Sequence, residues 1–259
     1  MLAKIKFQLL VEKEQVSLGM SSLFHGALME RISGEYADYL HLSALKPFTQ
    51  YLELSDNAWY WNISTYTTAA YQEIIEKALD HLQVITLKHK KMDIGLKEVE
   101  RKCIEKKEFF SFFTGENKSR LISLEFITPA AFKQRGEYFF FPEIFLIYQS
   151  LMNKYNIVSE QFESVDYETL EQLTEYTKMV HYQLRSTYFY LEGVKIPGFV
   201  GKITLKISGP QTMVNFANTL FEFGEFSGIG IKCSIGMGAL KMIKGGKQSG
   251  KNSARIYHS

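Results

Sequence analysis

The sequence predicts an α+β fold built from two consecutive β-α-β-β-α-β units, and three observations carry that reading. Residues 3–11, AKIKFQLLV, alternate polar and apolar side chains with the period of a half-buried strand. Residues 67–82, TTAAYQEIIEKALDHL, repeat their apolar positions at helical spacing, and 211–226, QTMVNFANTLFEFGEF, do so again. Each of these helices is followed by a strand-like segment, so the same order recurs in both halves of the chain.

In the first half, residues 21–33, SSLFHGALMERIS, offer a Ser cap and a helical stripe of Leu23, Phe24, Ala27, Leu28 and Ile32. YLEL (51–54) and WYWNIS (59–64) read as two strands around the turn SDNA. The helix at 67–82 comes next, and MDIGLKEVERKCI (92–104) is the final strand region. That order is the ferredoxin-like, or RRM-like, unit. In the second half, KSRLISLEFITPAAF (118–132) opens with a strand, and Pro142 starts the helix PEIFLIYQSLMNKY (142–155). After an acidic helical stretch, MVHYQLRSTYFYLEG (179–193) and KIPGFVGKITLKISGP (195–210) are two long strands. The helix at 211–226, a glycine-rich segment and a closing strand, ALKMIK (239–244), complete the unit. The boundary falls in FFTGENKS (112–119), which predicts a first domain at 1–113, a second at 114–244 and a flexible tail at 245–259.

A chain of 259 residues has ample apolar content for such cores, and its net charge of +2 gives no strongly basic surface from the total alone. Positive charge is local, in KHKK (88–91) and in the tail from Lys241. Cys103 and Cys233 are far apart, which argues against a disulfide framework or a zinc site, and no metal or other cofactor is expected. No apolar run approaches the ~18 residues that span a bilayer. The N-terminus has no apolar region followed by a cleavage site. A soluble, cytoplasmic protein without a membrane partner is expected. The 20 Phe and 15 Tyr suit sheet packing and base stacking equally.

Residues 228–238, GIGIKCSIGMG, hold four glycines in eleven positions. Such a concentration requires positive φ or close approach of another group. The spacing misses the dinucleotide fingerprint, and the segment that follows alternates like a strand. Two readings remain: a turn without a ligand, or an anion cradle whose backbone N–H groups, with Lys232 and Ser234, meet a phosphate. In the tail, Gly245, Gly250 and Lys251 match a P-loop until Asn252 replaces the required Ser or Thr, and a solvated tail is the better reading.

The loop resembles the G-h-G-x(5)-G-h-G signature (h apolar) of the CRISPR-associated repeat endoribonucleases, with Gly228, Gly230, Gly236 and Gly238 in the four glycine positions. The stretches 195–210 and 220–240 are similar to members found with type III-A systems. The resemblance, which runs from FHGALMERI to ALKMI, implies metal-free cleavage of precursor CRISPR RNA within its repeats to give guide RNAs. It also implies repeat RNA as partner and transient association with a type III-A effector complex. Monomer and homodimer both remain open. A catalytically silent repeat-binding subunit is the first alternative, and a nucleotide-binding regulator on the same scaffold is the second.

Metal-free cleavage uses the ribose 2′-hydroxyl as nucleophile. It needs a base, an acid and a positive charge near the phosphorane, which suits histidine and lysine. Among six histidines, His258 lies in the tail, His81 and His89 flank a basic run, and His181 opens a strand. His41, in YADYLHLSALKPFTQYL between the first helix and the second strand, occupies the place where the resemblance puts the catalytic histidine, with Lys46 as its lysine. His25, inside the first helix, ranks second and has a packing role as its alternative. Some family members add a tyrosine where this chain has Met29, leaving Tyr36, Tyr39 or Tyr51 to substitute. RNA contacts are expected from the loop residues and from Arg185, Lys195, Lys202 and Lys206 on the two long strands. Arg185 and Lys195 are expected to flank the turn between those strands.

Overall fold

The computed structural model describes residues 1–109, 117–158 and 166–243. The expected 113/114 boundary, the tail at 245–259 with its P-loop-like glycines and His258, and the start of the acidic stretch lie outside the described residues.

The alternating segment forms β1 (Leu2–Leu10), with Ile5, Phe7 and Leu9 buried on one face. It is the centre of a five-stranded sheet with β2 (Phe48–Ser55), β3 (Ala58–Thr65), β4 (Val84–Leu87) and β5 (Met92–Ile104), in the order β2-β3-β1-β5-β4. All neighbouring pairs are antiparallel. β2 and β3 are joined by Asp56 and Asn57, both at positive φ (49° and 62°), the geometry that matches strand twist in a two-residue hairpin. The short edge strand β4 is an addition to the predicted set.

The helix expected over 21–33 is shorter, and a second helix that was not predicted follows it. α1 (Ser21–Met29) ends at Glu30, and α2 (Gly34–Leu42) restarts behind Ser33, whose hydroxyl accepts from Tyr36 N at 3.3 Å. The next helix, α3, begins at Thr68–Ala70, capped by Thr67, and continues as a π-helical stretch over Tyr71–Ala78. α1 and α3 bury Phe24, Leu28, Ile74 and Ile75 against β1 and Trp61 of β3.

The second sheet contains β6 (Leu121–Ala130), β9 (Thr177–Leu191), β10 (Val194–Ile207) and β11 (Leu240–Ile243), in the order β11-β6-β10-β9. Within its own unit that is the 4-1-3-2 order of the ferredoxin-like fold. A small hairpin of β7 (Phe132–Gln134) and β8 (Glu137–Phe139) follows β6 and was not legible in the sequence. α4 (Ile144–Val158) and α6 (Gln211–Ser227) supply most of the helical side of the core. α5 (Tyr167–Tyr176) is capped by Asp166, which accepts from Thr169 N at 2.8 Å.

The two units share a core. Leu2, Tyr66 and Ile104 of the first pack with Phe221 and Phe223 of the second, Tyr66 meeting Phe223 edge-on at 5.4 Å. Thr49 of β2 donates to the carbonyl of Phe226 at 2.9 Å, so the end of α6 is capped from the other unit. The glycine-rich segment leaves α6 at this junction.

Candidate active site

The glycine loop is folded inward. Its amides at Ile229, Ile231 and Gly238 donate to the carbonyls of Gly238, Ala131 and Pro129, and Gly230 N donates to Ser150 Oγ at 2.7 Å. A β-carbon on Gly230 would lie 2.1 Å from Ala131 O, and one on Gly236 would lie 2.5 Å from Ser21 Cβ. Gly228, Gly236, Gly238 and Ser234 are buried. The amides of Ile229, Gly230, Ile231 and Gly238 are thus taken up within the protein. The glycines admit close approach, but what approaches is protein: the strand end at Ala131 and the first turn of α1. Lys232 is half-buried in the left-handed conformation at φ 55°.

The loop mounts a histidine. His25, one turn into α1, places Nδ1 2.9 Å from the carbonyl oxygen of Ser234. A carbonyl only accepts, so Nδ1 carries the hydrogen, and the neutral ring keeps its lone pair on Nε2. The ring stacks on Phe48 at 6.0 Å with planes 3° apart. Burial holds its pKa below the usual histidine value against the Ser234 bond, and the charges of His41 and Lys46 push the same way. α1 itself is fixed at its start by buried Gln50. That side chain donates to Ser21 O at 3.0 Å and accepts from Trp61 Nε1 at 2.9 Å.

His41 stands exposed in the last turn of α2, not in the loop that the sequence suggested. The helix signal was present in Ser33, a capping residue just before Gly34. Lys46 is half-buried; its ammonium donates to Ser43 O at 2.6 Å, and its own carbonyl accepts from the Tyr66 hydroxyl. His41 and Lys46 are near enough to His25 for their charges to bear on its ring. Of the substitute tyrosines, Tyr36 and Tyr51 have hydroxyls that burial pushes far above the ordinary range. Tyr39 is half exposed and stacks on Tyr36 at 5.5 Å. Met29 packs against the first core.

His25 also lines a cleft of about 430 Å³ with Ser22, Thr86, Lys88, His89 and Glu192. The sequence placed His89 only beside a basic run; the fold of the β4–β5 hairpin brings Lys88 and His89 beside α1, Lys88 pairing with Glu30 at 2.9 Å. His81 instead pairs with its neighbour Asp80 at 3.3 Å.

On the β9–β10 hairpin, Lys195 lies two residues beyond the turn at Glu192 and Gly193, its ammonium 5.7 Å from the Tyr190 ring centre. Arg185 is farther along the ladder, opposite Val200, so the pair does not flank the turn as expected. It lines a second cleft of about 500 Å³ with Trp59, Tyr188 and Tyr190. Lys202 is exposed and paired with Glu125 at 3.5 Å, and Lys206 is exposed opposite Lys178. Among the described residues, no group of three His, Cys, Asp or Glu is placed to hold a metal ion, and no helix is long and apolar enough to cross a membrane.

Fold and loop together define a class: tandem ferredoxin-like proteins in which a glycine loop closes the second unit. The chain belongs to the Cas6 family of CRISPR-associated endoribonucleases. The family model for CRISPR-associated endoribonuclease Cas6 matches residues 124–240. The Cas6 endoribonuclease of Streptococcus thermophilus is 33% identical over 220 residues, covering 85% of this chain and 89% of that protein. A Mycobacterium tuberculosis Cas6 is also 33% identical, covering 84% of this chain and 70% of its own. Among solved structures, a Cas6 product complex superposes with a TM-score of 0.74 at 20% identity, over 94% of this chain and 99% of the other.

Proposed function

We propose that this endoribonuclease cleaves precursor CRISPR RNA within its repeats, releasing guide RNAs, and that it does so without a metal ion. The carrying observation is the His25–Ser234 contact, which gives the site a neutral imidazole with a defined free nitrogen. In this reading Nε2 of His25 takes the proton of a ribose 2′-hydroxyl. The oxygen attacks the adjacent phosphorus, His41 gives a proton to the departing 5′-oxygen, and Lys46 stabilises the phosphorane. The products are a 2′,3′-cyclic phosphate and a 5′-hydroxyl, so one proton is taken and one returned.

RNA would be held by Lys232, by Arg185 and Lys195 on the hairpin, and by Lys202 in competition with Glu125. The solved relatives include product and substrate-mimic complexes of Cas6, which supports binding of repeat RNA. The expected setting is the cytoplasm, with the product passed to a type III-A effector complex by a monomer or a homodimer.

Single-turnover cleavage of a cognate repeat transcript tests the reading. Wild type should cut once per repeat, and His41→Ala and His25→Ala should each be slow. A wild type that binds the repeat tightly and never cuts it would make the chain a silent binding subunit instead.

A further inference from the structure

Lys154 sits mid-helix in α4 among Leu151, Met152 and Tyr155, and is only 5% exposed. A lysine at such a position is costly unless every proton of its ammonium is used. Its ammonium has three acceptors: Ser227 O at 3.2 Å, Gly228 O at 3.1 Å and Cys233 Sγ at 3.1 Å. None of the three is a carboxylate. Two are carbonyls at the C-terminal end of α6, where a positive charge is favoured, and the third belongs to the glycine loop. One helical turn earlier on the same face of α4, Ser150 Oγ accepts from Gly230 N at 2.7 Å. Cys233 is in turn followed by Ser234, whose carbonyl holds His25.

We propose that Lys154 is a positioning residue for cleavage. It clamps the end of α6 to Cys233, fixes the course of the loop, and so aims the Ser234 carbonyl that sets the tautomer and orientation of His25. Lys154 touches no substrate; it acts through the loop. The proposal rests on the role given to His25 above, but one of its readouts does not depend on cleavage.

Imidazole ¹⁵N resonances of histidine-labelled protein should show His25 in wild type with its hydrogen on Nδ1. Lys154→Met, measured well below its melting temperature, should lose that bias and give averaged tautomers. It should also cut repeat RNA about 10- to 100-fold more slowly in single turnover, with RNA affinity kept, as loosened mounts of reacting groups do. Unchanged His25 resonances would overturn the proposal whatever happens to rate or stability, since a purely structural lysine would move only the melting temperature. If Lys154→Met does not fold, Cys233→Ala removes one acceptor with little loss of volume. The same shift in the same direction is then expected, and an unchanged resonance overturns the proposal. A lost tautomer bias with full activity would contradict the role of His25 and leave the coupling from Lys154 standing.

Discussion

The imidazole Nδ1 of His25 and the carbonyl oxygen of Ser234 are 2.9 Å apart although 209 positions separate them in the chain. That bond ties a helix of the first unit to the loop that closes the second. It makes the loop part of the histidine's mounting, and it leaves Nε2 as the nitrogen able to accept a proton.

His25→Ala should lower single-turnover cleavage by about 10²-fold or more, the usual size of an acid–base contribution. Repeat-RNA affinity, measured on the same samples, should hardly change. A near-wild-type rate would return His25 to a packing role against Phe48.

His41→Ala should cost a similar factor. If the two histidines serve one proton circuit, the double variant should be little slower than the slower single one. Strict multiplication of the two losses would show that they act in independent steps.

Burial and the charges of His41 and Lys46 depress the pKa of His25, and this has a sign for stability. Below about 6.5, the ordinary value, the unfolded chain takes up a proton at this position that the folded chain still refuses. Stability therefore rises with pH through that window. The contribution is fully present above the unfolded pKa and is lost as pH falls through the folded one. Thermal melts between pH 7.5 and pH 5 should show wild type losing stability faster than His25→Phe. Parallel curves would contradict the assignment.

Gly230→Val puts a β-branched residue at φ 73° with its β-carbon 2.1 Å from Ala131 O. Left-handed strain alone costs about 1–2 kcal/mol, so the melting temperature should fall by about 5 °C or more. Lys232→Ala should leave the melt alone and reduce the salt slope of RNA affinity by about one ion. An unchanged melt for Gly230→Val, with RNA binding lost, would mean that the loop meets phosphate at this glycine.

Much of the fold was readable because its elements carry local signals. Period-two alternation gave β1, apolar spacing gave α3 and α6, and the pair Asp56 and Asn57 marked the first hairpin. β4 and the β7–β8 hairpin were missed because three or four residues hold too little pattern to stand out. The candidate histidines and lysine came from family resemblance and chemistry. The sequence could not show that the glycines face protein. Four glycines say that something comes close, and whether that is a phosphate or Ala131 O depends on contacts across a hundred residues. Lys154 and Gln50 were invisible for the same reason: each reads as an ordinary surface polar residue until the partners around it are known.

In the proposed mechanism two histidines and a lysine cleave RNA through its own 2′-hydroxyl. Mass spectrometry of the fragments from a cognate repeat transcript, cut in excess EDTA, reads that chemistry from the ends it leaves. The 5′ fragment should end in a 2′,3′-cyclic phosphate and the 3′ fragment should begin with a 5′-hydroxyl, at a rate that chelator does not change. Cleavage abolished by EDTA and restored by magnesium, with fragments ending in a 3′-hydroxyl and a 5′-phosphate, would contradict it.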